Sequence, residues 1–211
     1  MKQVILTTLI TSILLLPLGS TALADHEEAP VQPSAGTQAF LPGDVPAELT
    51  PADSMGPALH GIVLAMLNHD VTSFDLTNTD LAWESLYNML SLYGQLDSRS
   101  EISEDLLLLP SETAQDYAAA LDITVEQLPP LPASLKDRLT YDRSQEVYHV
   151  VCGSDALAQI QVQEVQSTAQ GLRLTGALVY VVDNEELAQF QATLQLRDNM
   201  FGYAVTSLTL G

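Results

Sequence analysis

Histidine, cysteine and clustered carboxylates are the residue types that could do chemistry in this chain, and their spacing limits each of them. His149 and Cys152 stand three apart in "YHVVCG". A nucleophile and its base must lie within hydrogen-bond reach, but side chains on a strand alternate between faces. An offset of three therefore sends the two to opposite sides, which forbids a dyad and weakens a metal-ligand pairing. His60 and His69 are nine positions apart on an expected helix, about half a turn out of phase. They do not chelate together, and His60, which borders the apolar face, is expected to be hydrogen-bonded at the edge of the core. The stretch "DLTNTDLAWES" offers oxygen ligands at Asp75, Thr77 and Thr79. A calcium loop of the EF-hand type needs glycine at its sixth position and glutamate at its twelfth; Asp80 and Leu86 stand there instead, so a helix-capping turn is expected.

There is no Gly-rich phosphate loop, no HExxH, no GxSxG and no CxxC. No catalytic, cofactor-binding or metal-ligating residue is assigned, and no cofactor is expected. Cys152 is the only cysteine, so no internal disulfide forms and the fold rests on its core. A small buried hydrophobe is the reading for that thiol.

The aromatic stretch "DLAWESLYNMLSLYG" holds the only tryptophan. At 100° per residue Trp83, Leu86, Tyr87, Met89, Leu90 and Tyr93 share one arc, and Glu84, Ser85, Asn88, Ser91 and Gln95 share the other. Every ring falls with the leucines, as core packing requires, so the aromatics are expected to fill a core. Asp80 is the expected cap, and Gly94 the expected left-handed stop.

The elements around these residues follow from periodicity. "PALHGIVLAMLNH" is apolar on one wide face through Leu59, Ile62, Val63, Met66 and Leu67, which predicts a largely buried helix. "SETAQDYAAALD" predicts a third helix with Ser111 as cap and a narrow stripe of Ala114, Tyr117, Ala118 and Leu121. Pro129, Pro130 and Pro132 then predict an extended polyproline connector. From Leu139 the period changes to two, and "LTYDRSQEVYHVVCG", "ALAQIQVQEV", "LRLTGALVYVV", "FQATLQLRD" and "YAVTSLTL" read as strands joined by short turns. The fold class expected is α+β: about three N-terminal helices packed on a C-terminal antiparallel meander sheet of about five strands.

The amino-terminal residues predict an address. Lys2 precedes an apolar run from Val4 to Leu18, and Ala22-Leu23-Ala24 supplies a small-x-small cleavage pattern. The run is shorter than the ~20 residues that span a bilayer. The expected organisation is a signal peptide at 1–24, a flexible Pro-rich acidic leader at 25–52, and a single α+β domain at 53–211. That domain comprises a helical part at 53–128, a connector at 129–134 and a sheet at 135–211. Export to the periplasm or exterior is expected, with no membrane insertion after cleavage.

Charge sets the partners. The chain carries a formal charge of −20. Eighteen acids face Arg99 alone between Asp25 and Ser134, while nine acids face five bases beyond. Nucleic acid is excluded, because binding it needs clustered Lys and Arg, and an anionic membrane surface is disfavoured. Divalent cations are expected to bind weakly and without specificity. A non-catalytic binding or interaction domain of the bacterial envelope or exterior, with a protein or envelope partner, is the expected function. The alternative is a small-ligand carrier or enzyme with a pocket between helices and sheet.

Overall fold

The computed structural model describes residues 52–103, 106–128, 130–153 and 157–211. The signal peptide expected at 1–24 and residues 25–51 of the leader expected at 25–52 lie outside them. Ala52, expected to close the leader, is fully buried in the core.

The helices are α1 (Gly56–Asn68), α2 (Thr79–Tyr93) and, after two short strands, α3 (Ser111–Ala119). Their ends differ from expectation in instructive ways. Asn78, not Asp80, caps α2, its side-chain oxygen accepting from the Leu81 N–H at 3.3 Å. Asp80 sits instead in the first turn, where a carboxylate favours the helix dipole. Gly94 is right-handed (φ −58°) and continues into a 3-10 turn. Glycine is needed there for closeness: a Cβ would come within 2.9 Å of the Leu107 side chain. Ser111 opens α3 without a side-chain cap, and the residue before it is Pro110.

The expected single five-stranded meander is corrected to two antiparallel sheets of four strands. One has the order β1-β2-β4-β3, from β1 (Glu101–Ser103), β2 (Leu106–Pro110), β3 (Leu139–Asp142) and β4 (Val147–Val151). The other is a meander of β5 (Ala158–Thr168), β6 (Gly171–Tyr180), β7 (Glu186–Leu196) and β8 (Tyr203–Leu210). The physical reason is occupancy. Both edges of β4 are taken, by β2 and by β3, so the chain cannot add β5 beside it and starts a new sheet. β1 and β2 had no place in the sequence reading, because "LLLLP" is apolar at every position and shows no period. Among the four strands of the second sheet, β6 is paired on both sides, as its apolar run over Ala177–Val179 requires.

The helices lie between the sheets. α1 packs on β5 and β8, α2 and α3 pack on the first sheet, and α1 packs along α2. Every residue of α2 from Leu81 to Ser91 is buried, including the polar arc. That arc meets α1, and its groups find partners within α2 and on α1. Ser85 Oγ donates to the Leu81 carbonyl at 2.8 Å, and Asn88 Nδ2 donates to the Gly61 carbonyl at 3.2 Å. Gly61 lets the helices come this close: a Cβ there would lie 2.7 Å from both the Ser85 carbonyl oxygen and Met89 Cγ. Among the described residues, no helix is long and apolar enough to cross a membrane.

Candidate functional site

The residues singled out for chemistry are placed apart. His149 lies half-buried within β4, while Cys152 lies half-buried beyond its end. No hydrogen bond joins them among the described residues. Cys152 packs against the core rather than inside it. His69 Nε2 and Asn68 Nδ2 both contact Glu84, at 2.8 and 2.7 Å, which ties the end of α1 to α2. Asp75 accepts the Thr77 N–H at 2.8 Å in a turn leading to the Asn78 cap, and this hydrogen bond holds its carboxyl below the usual range. Among the described residues, no cluster of three His, Cys, Asp or Glu side chains could hold a metal ion.

His60 is 1 % exposed. Its Nδ1 lies 2.7 Å from the Tyr93 hydroxyl, and the two rings meet edge to face. Burial pushes the imidazole down to about 4 and raises the Tyr93 phenol. A neutral imidazole sharing a hydrogen bond with a neutral phenol is a satisfied core pair. It belongs to the scaffold, together with the Tyr117 hydroxyl, which donates to the Tyr93 carbonyl at 3.0 Å.

Trp83 occupies a different position from the other aromatics of α2. It is only 5 % exposed and belongs to the core, yet it also lines a cleft of about 370 Å³. One wall is the β3–β4 hairpin, through Leu139, Thr140, Tyr141, Arg143 and Tyr148. Tyr141 and Tyr148 are directly opposite in the ladder, and their rings stack with centroids 4.6 Å apart. Such cross-strand aromatic pairs stiffen a hairpin by packing beyond mere area. The facing wall is formed by Val125 and Leu128 and by Pro130 and Leu131 of the connector. Leu128 (φ −69°, ψ 137°) and Pro132 (φ −63°, ψ 151°) have polyproline geometry, so this wall is stiff as well. The connector expected as a spacer therefore also lies across an aromatic groove.

The lining contains no carboxylate, histidine or cysteine. Burial, assisted by the neighbouring Tyr141 and Glu126, pushes the Tyr148 phenol up to about 12, so it stays protonated at neutral pH. The cleft presents the hydroxyls of Thr140, Tyr141 and Tyr148 and the Arg143 guanidinium. Its volume falls in the range of small-molecule sites, which are concave, mostly apolar and marked by a few polar groups.

Other depressions carry less. A larger one, about 510 Å³, lies at the β5–β6 turn between Ser167 and Leu172 and reaches Leu196 and Tyr203, with no charged side chain. Another, about 230 Å³, holds Asp122 and Arg197, which neutralise each other in an ion pair at 3.0 Å. Comparisons with protein-family models, with characterised proteins and with solved structures give no match, so the functional reading stands on the chemistry of the cleft.

Proposed function

We propose that this chain is an exported, non-catalytic binding domain that seats a small, largely apolar ligand in the cleft over Trp83. One observation supports the reading: a concave aromatic site whose lining holds no carboxylate, imidazole or thiol. Export is supported by the Lys2 start, the apolar run and the Ala22-Leu23-Ala24 pattern. The strongly negative surface supports solubility and argues against nucleic acid.

The test uses the neutral dye N-phenyl-1-naphthylamine. Because Trp83 is the only tryptophan, energy transfer from its emission to bound dye reports binding near the cleft. Saturable transfer at micromolar dye is expected. Dye fluorescence that rises without quenching Trp83 would place binding elsewhere and defeat the proposal. Intact-mass measurement of exported material tests the processing: the chain is expected to begin at Asp25, and a mass retaining Met1–Ala24 would contradict it.

A further inference from the structure

We infer that the ligand of this cleft is an organic anion, with a flat apolar body against Trp83, Tyr141 and Tyr148 and its acidic group held by Arg143. The inference rests on the binding reading above and adds the sign of the ligand. The chain has 27 acids and 7 lysines and arginines, so a base in this fold has carboxylates at hand. Arg99 is bound by Asp97 and Asp116, and Arg197 by Asp122. Arg138 lies over the Tyr87 ring at 4.8 Å. Arg143 has no ion pair, hydrogen bond or ring contact with any described residue. Lys136 and Arg173 also lack an ion pair among the described residues, but neither lines this cleft.

Two neighbouring acids accept hydrogen bonds elsewhere. Asp142 Oδ1 accepts both the N–H and the hydroxyl of Ser144, each at 2.7 Å, which fixes the turn that carries Arg143. Glu126, near Tyr148, accepts from the Gln115 amide. Aromatic faces alone attract cations. A guanidinium at the rim reverses that preference, repelling a cation and offering a planar pair of donors to a carboxylate or similar group.

Two dyes sharing one ring system separate the terms: 1-anilinonaphthalene-8-sulfonate and its uncharged parent, N-phenyl-1-naphthylamine. Both are titrated against the wild-type chain and Arg143→Gln in about 0.15 M salt, which screens the charge of the whole molecule. The wild type is expected to prefer the sulfonate. That preference, read as the ratio of the two dissociation constants, should fall about tenfold in Arg143→Gln, the loss of one charge-assisted contact. A ratio unmoved by Arg143→Gln, with the neutral dye still bound at Trp83, overturns the anion inference and leaves the cleft reading standing. If neither dye quenches Trp83 in the wild type, the cleft reading itself falls and the inference with it.

Discussion

Trp83→Ala is expected to cost about 3–5 kcal/mol of folding stability, the range for removing a buried aromatic side chain and leaving a cavity. The ring is 5 % exposed and belongs to the continuous core with Leu86, Tyr87 and Leu90. It also meets the sheet side of the cleft, beside the buried Leu139 and Tyr148. Domains of this size have about 5–15 kcal/mol in total, so the variant would lose a large share of its stability. Urea denaturation at neutral pH measures the difference. A loss below ~1 kcal/mol would mean that the ring is not packed as described. The cleft would then be a surface hollow with no rigid floor.

Acid should weaken the fold through His60. Its folded-state value is about 4, below the ~6.5 of an imidazole in an unfolded chain. Between these two values the unfolded state binds a proton that the folded state refuses, so stability falls as pH drops from ~6.5 towards ~4 and this contribution levels off below. The whole effect is about 3 kcal/mol, of which about 2 kcal/mol is gone by pH 5. That window lies above the range where most carboxylates titrate, which keeps the two effects separable. His60→Gln retains a polar group facing Tyr93 but cannot take up the proton. The stability difference between pH 7 and pH 5 should therefore be about 2 kcal/mol larger in the wild type than in the variant. Equal pH dependence would show that His60 is not held neutral by its surroundings.

These two residues also mark how far the sequence could be read. The helices were legible because apolar residues recur with the helical period, and Trp83 and His60 fell where that period put them. Environment was harder to read. The polar arc of Glu84, Ser85, Asn88 and Ser91 is buried, because Gly61 lets α1 approach and Asn68, His69 and the backbone satisfy its groups. The second sheet was legible strand by strand, since its glutamines and threonines alternate with apolar residues. In the first sheet the β3–β4 hairpin was legible in "LTYDRSQEVYHVVCG", but β1 and β2 were not, because Leu106–Leu109 carry no alternation and β2 pairs with β4, remote in sequence.

The cleft escaped the sequence for a related reason. Its floor comes from α2, one wall from residues near 125–131 and the other from the β3–β4 hairpin. No local pattern joins three such distant segments. The nearest signals were the prolines of the connector and the tyrosines of "LTYDRSQEVYH", each unremarkable alone. Charge offered a fainter one. Arg143 is among the few bases in an acidic chain, but only the fold shows that no described carboxylate meets it.

The most direct measurement of the central claim compares dye binding in two variants that each alter one exposed apolar side chain. Tyr141 is 42 % exposed and lines the cleft, while Leu196 is exposed beside the wider depression at the β5–β6 turn. Tyr141→Ala should weaken N-phenyl-1-naphthylamine binding about tenfold or more, on the scale of one aromatic wall removed, with little change in Tm. Leu196→Ser should leave the affinity as it is. Binding that survives Tyr141→Ala and is lost in Leu196→Ser would put the ligand at the β5–β6 turn and contradict the account.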